Sequence, residues 1–208
     1  MTIASVVFRS YETSVPEVLD RIGAAAVLGR QSSIVIKPNL INTDPHPVTT
    51  PSACCEALID YIRTCSPAEI VIAEGCGDAA CETPEVFRAL GYDRLAERRD
   101  VGLVDLNTAP LRQVRNEGCE ILPEMFLPEI VFTHYLISVP VLKAHSLAEM
   151  TGTCKNMMGL LPPEHYGGHP GSWKKARFHR RLQASIRELL SYRPPDLSLM
   201  DATIGLAQ

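Results

Sequence analysis

Three lysines stand out for their position. Lys37 ends the apolar run SIVI, Lys143 follows YLISV and a proline, and Lys155 lies between Gly152 and Gly159. None of them belongs to a charged surface run. An ammonium offers a compact charge with three donors, which can orient a phosphate or carboxylate or polarise a carbonyl. His145 follows Lys143 closely and adds a group able to move protons near neutral pH or to ligate a metal. Lys143 and His145 are therefore the candidate catalytic pair. The candidate ligand-binding residues are Lys37, Asn39, Thr50, Glu74, Asp105, Asn107, Lys155, Asn156 and Asp201. Thr50 enters because Thr50-Pro51 reads as a helix start, whose free N–H groups would join Lys37 at an anion. Taken singly, each residue has an ordinary reading: strand ends need caps and turns, and lysines snorkel. The set argues for a site that takes an anionic small molecule or cofactor.

What must position these groups is legible from the hydrophobic pattern. Short β-branched runs at 5–8, 33–36, 69–73, 102–106, 135–139 and 197–200 read as strands. Most are apolar on successive residues, as expected of strands covered on both faces. Between them, Val15, Val18, Leu19, Ile22 and Ala26 keep helical spacing, with Ser14 and Glu17 as a capping box. Cys55, Leu58, Ile59 and Ile62 mark a second helix, and Thr83-Pro84 starts a third that continues through VFRALGYDRLAERR. Phe178, Leu182, Ile186, Leu189 and Leu190 share the face of a fourth, within 176–190. This alternation predicts an α/β fold: layered, with a mostly parallel sheet and helices on both faces. The polar candidates then fall at the carboxyl edge of the sheet, where open α/β sheets bind ligands.

The chain reads as a single domain over 1–208, with a long irregular loop at 161–173. Its last segment, LSLMDATIGLAQ, reads as a strand that opens into a loop, so a C-terminal truncation is expected. No apolar run reaches the ~18 residues of a membrane span, and Arg9 and Glu12 come too early for a signal peptide. A cytoplasmic protein with no membrane partner is expected.

Seven cysteines, an odd number, argue against a disulfide framework. Cys76 and Cys81 form the one short pair, and no C-x2-C occurs. No H-E-x2-H, G-x-G-x-x-G, P-loop or G-x-S-x-G motif occurs either, so neither metal nor cofactor is legible. The run 174–181 carries five basic residues and no acid in a chain of net charge −4. It reads as the solvated start of an amphipathic helix, or as a nucleic-acid patch, although nucleic acid is not the expected partner.

Several segments together resemble the DUF362 family. They are IVIKPNLI at 34–41, VTTPSACCEALIDYI at 48–62, IVIAEG at 70–75 and ETPEVFRALGYDRLAE at 82–97. The resemblance continues through VDLN at 104–107, ISVPVLKAH at 137–145, TGTCKNMMGLLP at 151–162 and LSLMDATIG at 197–205. It implies an association with iron–sulfur proteins, because many members carry a fused ferredoxin-like module. The four-cysteine ferredoxin run is missing here, so a redox role would use Cys76 and Cys81 or a cluster on a ferredoxin-like partner. Three functions follow: an anion-binding or catalytic α/β domain, a redox or iron–sulfur partner protein, and a nucleic-acid module using 174–181. The first is the expected one.

Overall fold

The structure, a computed structural model, describes residues 2–169 and 171–206. Helices α1 (Tyr11–Arg21) and α2 (Ala24–Leu28) lead into β1 (Ser33–Pro38). Helix α3 (Ser52–Cys65) returns the chain to β2 (Glu69–Glu74), and α4 (Thr83–Ala89) with α5 (Tyr92–Arg99) returns it to β3 (Gly102–Asp105). A hairpin of β4 (Leu111–Arg115) and β5 (Glu124–Pro128) precedes the short α6 (Ile130–Thr133) and β6 (Tyr135–Val139). A second hairpin, β7 (Val141–His145) and β8 (Glu149–Thr151), leads to α7 (Thr153–Asn156) and a 3-10 turn at Met157–Leu160. Then come α8 (Pro163–Tyr166), a second 3-10 turn at Ala176–Arg181, α9 (Leu182–Tyr192), β9 (Leu197–Ser198) and β10 (Asp201–Leu206).

The central sheet has the order β3-β2-β1-β6-β9, and every neighbouring pair is parallel. The period-two alternation of strand side chains sorts its two faces. Ile34, Ile36, Ile70, Ile72, Ile137 and Val139 pack with Leu19 of α1 and Leu58, Ile59 and Ile62 of α3. Val35, Ala73 and Leu136 pack on the other face with Met157, Leu160 and Leu182, Ile186 and Leu189 of α9. The chain is thus α/β, with a parallel sheet between helical layers. Lys37 follows Val35 on that second face and lies in register with Ser138.

Several local expectations are corrected. Residues 5–8 form no strand; Val7 is 86% exposed, and no neighbouring strand offers the ladder partners an extended backbone needs. Helix α1 begins before Ser14, with Ser10 as its N-cap. Ser14 Oγ instead accepts the Arg9 N–H at 3.0 Å, and Glu17 pairs with Arg9 and Arg21. The N-cap of α4 is Glu82, whose N–H donates to the Glu85 carboxylate at 2.9 Å, so Thr83 lies inside the helix. The helix expected to continue through 99 breaks at Gly91, where φ is +75°, a value that favours glycine. The fourth helix becomes α9 only from Leu182, after a 3-10 turn. The run at 197–200 contributes only Leu197 and Ser198 to the sheet. Asp201 opens β10, which joins β7 and β8 in a separate sheet. The segment 161–173 is not wholly irregular: Leu161 and Tyr166 are buried and α8 lies within it.

No helix among the described residues is long and apolar enough to cross a membrane. Leu58, fully buried between α3 and the sheet, tests the core. Leu58→Ala is expected to cost about 2–5 kcal/mol in equilibrium urea denaturation. A loss below about 1 kcal/mol would mean that α3 does not pack there.

Candidate functional site

Lys37 and Glu74 occupy the carboxyl ends of adjacent strands, and both are buried. The Lys37 ammonium lies 2.9 Å from each Glu74 carboxylate oxygen. It also donates to the Pro38 carbonyl at 3.1 Å and to Asn156 Oδ1 at 3.2 Å. Glu74 in turn accepts the Gly75 N–H at 2.8 Å and the Leu40 N–H at 3.1 Å. Asn156 Nδ2 donates to the Lys37 carbonyl at 3.2 Å and to Ser138 Oγ at 2.9 Å, tying α7 to β1 and β6. Burial pushes the Lys37 ammonium below its ordinary pKa, and Glu74 opposes that shift. Gly159 passes directly over the pair. A β-carbon there would collide with Glu74 Oε1 and stand 2.5 Å from Lys37 Nζ.

Beside this pair, at the carboxyl edge of the sheet, lies a cavity of about 610 Å³. Lys37, Lys143, Lys155 and Lys175 line it, with Asn39, Glu74, Asn156, His145 and His179. Glu74 is the one carboxylate among these lining residues, and it is paired with Lys37. Lys175 is buried yet satisfied by neutral acceptors: Asn107 Oδ1 at 2.9 Å, the Leu161 carbonyl at 2.8 Å and the Gly159 carbonyl at 3.2 Å. Burial lowers its pKa to about 7, with Glu74 opposing. Lys143 donates to the Val48 carbonyl, and burial lowers its pKa too. Lys155 is lowered to about 8, first by burial and then by Lys143 and Lys37. Asn39 Nδ2 and Thr151 Oγ1, on two buried lining residues, have no hydrogen-bond partner among the described residues.

The two histidines are held in opposite tautomers when neutral. His145 Nδ1 accepts the backbone N–H groups of Leu147 and Ala148, both at 3.1 Å, so its proton resides on Nε2. His179 Nδ1 lies 3.1 Å from the Lys175 carbonyl, which can only accept, so that nitrogen carries the proton. Burial, followed by Lys155, His179 and Lys143, lowers His145 to about 4. The ring is therefore neutral at physiological pH and offers an N–H donor.

Seven expected residues share this wall: Lys37, Asn39, Glu74, Lys143, His145, Lys155 and Asn156. Four do not line it. Thr50 donates to the Val139 carbonyl at 2.7 Å and accepts the Asn39 N–H at 2.9 Å, joining the ends of β1 and β6. Helix α3 starts one residue later than expected, with Pro51 as N-cap, and presents no N–H groups to the lysines' cavity. Asp105 accepts the Asn107 N–H at 2.9 Å and so shapes the turn after β3. Asn107 lies one step behind the wall and holds Lys175. Asp201 accepts the Tyr11 hydroxyl at 2.6 Å and lies 3.4 Å from His46, away from the cavity.

Lys175, His179, Thr151, Trp173 and Gly159 line the wall but were not expected. A signal for Lys175 exists in the sequence: it precedes Phe178 and Leu182 at helical spacing and so shares their buried face. Lys174 also turns inward, to the Cys81 carbonyl at 2.6 Å and Glu82 at 2.7 Å, so the run 174–181 is not a uniformly solvated basic face. The seven cysteines are free, and Cys76 is buried with its thiol donating to the Cys81 carbonyl at 3.2 Å. Burial raises the Cys81 pKa to about 11, so this thiol is not activated. His165 and His169 have H-x3-H spacing, but His165 stacks on Phe126. Among the described residues, no group of three His, Cys, Asp or Glu is placed to hold a metal ion.

Residues 34–208 match DUF362, a domain of unknown function. The chain belongs to the DUF362 family. No curated protein matches it. Among solved structures, this DUF362 chain is similar to the lactate racemase apoprotein from Thermoanaerobacterium thermosaccharolyticum, with 15% identity and a TM-score of 0.54. The match covers 95% of this chain and 51% of that one, so the DUF362 chain spans about half the length of its structural neighbour. At this identity the likeness concerns the fold.

The ion pair gives a direct test. Lys37→Met strands the Glu74 carboxylate in the interior and is expected to cost about 3–5 kcal/mol in urea denaturation. Adding Glu74→Gln to that variant should recover much of the loss, because no buried charge then remains. A single variant that costs under about 1 kcal/mol would contradict the buried pairing.

Proposed function

We propose that this domain binds an anionic small molecule in the cavity at the carboxyl edge of its sheet. One observation carries the reading: Lys143, Lys155 and Lys175 line the same cavity, and none makes an ion pair among the described residues. Like charges gathered in a partly dry space repel, and a bound phosphate, sulfate or carboxylate relieves that repulsion. The unpartnered Asn39 amide and Thr151 hydroxyl add polar contacts for the same ligand. Lys143 orients the anion, and Lys175, held rigidly by three acceptors, supplies fixed positive potential. His145 contributes an uncharged N–H donor, able to polarise a carbonyl or hold an oxygen where negative charge develops.

Sulfate tests the binding, because its charge does not change across the working pH range. Protonated lysines bind it, so affinity falls as pH rises through about 7 for Lys175 and about 8 for Lys155. Calorimetry and thermal melts should show sulfate stabilising the protein at about pH 6 and doing little at about pH 9. Lys143→Ala should weaken sulfate roughly tenfold at the lower pH. The anion-free protein should behave oppositely. Both amines titrate below their unfolded value of 10.5, so the unfolded chain binds more protons between about 7 and 10.5 and stability rises with pH there. A sulfate effect that is absent at low pH, or that grows with pH, would refute the proposal.

A further inference from the structure

The cavity lysines are not equivalent. Lys37, Lys143 and Lys175 each donate to a protein oxygen, whereas the Lys155 side chain makes no hydrogen bond among the described residues. No carboxylate among the described residues is paired with it, and the charges acting on it are ammonium groups of Lys143 and Lys37. An amine so placed holds its proton weakly, and its lone pair is not engaged by any protein donor. Beside it are the cationic groups that would receive a carboxylate and the His145 N–H that would receive a carbonyl oxygen.

We propose that the Lys155 amine forms an imine with a small 2-oxo acid whose carboxylate is held by Lys143 within the positive potential of Lys175. This rests on the anion-binding reading and names the ligand class. The neutral amine attacks the carbonyl carbon, a C–N bond forms, and the C=O pair moves onto oxygen. The resulting carbinolamine loses that oxygen as water, which carries away the two protons of the amine and leaves C=N. The step is a condensation and needs no oxidant or reductant. Neighbouring positive charge favours the carboxylate, while the lowered proton affinity of Lys155, with a pKa of about 8, keeps part of the amine free near neutral pH.

The test is reductive trapping of the whole chain with pyruvate and sodium borohydride, read by peptide mass mapping. Lys155 should be labelled roughly tenfold or more above the mean of the other lysines, because its amine is partly unprotonated and, unlike that of Lys175, is not tied to protein acceptors. Excess sulfate should slow that labelling, and acetone, which lacks the carboxylate, should label Lys155 far less. Lys155→Arg should abolish the adduct in a protein that still melts cooperatively. Labelling spread evenly over surface lysines, or absent from Lys155, overturns the imine even where sulfate stabilises the protein. Equal labelling by acetone and pyruvate overturns the 2-oxo acid assignment. Sulfate stabilisation, measured separately by thermal melt, distinguishes failure of the anion-binding reading from failure of the imine.

Discussion

Lys37 and Glu74 are withdrawn from water at the ends of adjacent parallel strands, and the carboxyl edge of the sheet is organised around them. Removing two charges from water costs several kcal/mol per ion, and their attraction offsets this only when the remaining donors and acceptors are also used. Here the ammonium has Asn156 and the Pro38 carbonyl besides Glu74, and the carboxylate has the N–H groups of Leu40 and Gly75. Those partners come from the ends of β1 and β2 and from α7, so the pair fixes three segments at once. Gly159 lets the chain close over it, where any β-carbon would force the charges apart.

Committing Glu74 to Lys37 sets the sign of the cavity. With that carboxylate engaged, each further lysine brought to the wall adds uncompensated charge. The fold holds Lys175 through neutral carbonyl and amide oxygens, which satisfy its protons without cancelling its charge. The same economy appears in the histidines, where backbone groups occupy one nitrogen of each ring and determine what the other can offer. A chain with a net charge of −4 thereby presents a locally positive concavity, and the local field rather than the overall charge governs what the cavity attracts.

The parallel sheet was legible because its strands are apolar on both faces, and their polar ends then had to share an edge. That placed Lys37, Glu74, Lys143 and His145 together without any contact being known. The hairpins were not legible. The β4 strand LRQVR is half exposed and joined to β5 by a long turn, and β7 carries Lys143 and His145 in positions that read as turn chemistry. Lys175 was hidden for a different reason. Its run of basic neighbours suggested a solvated face, whereas its phase relative to Phe178 and Leu182 places it inside. Asp105 and Asn107 were correctly placed at a strand end, but strand-end position alone does not separate a group that faces a cavity from one that builds the turn behind it.

Asp201 illustrates how a residue outside the wall bears on the residues within it. Its carboxylate accepts the hydroxyl of Tyr11 at 2.6 Å and that of Thr203 at 2.7 Å, while its N–H donates to the Pro140 carbonyl at 2.9 Å. These bonds join α1, the start of β10 and the junction between β6 and β7. Strand β10 then pairs in parallel with β7, the strand that carries Lys143 and His145. Once Pro140 ends β6, β7 leaves the central sheet, and its backbone depends on β8 and β10 for partners. The direction in which Lys143 and His145 project is therefore set by a small second sheet, anchored through Asp201 to the first helix of the chain.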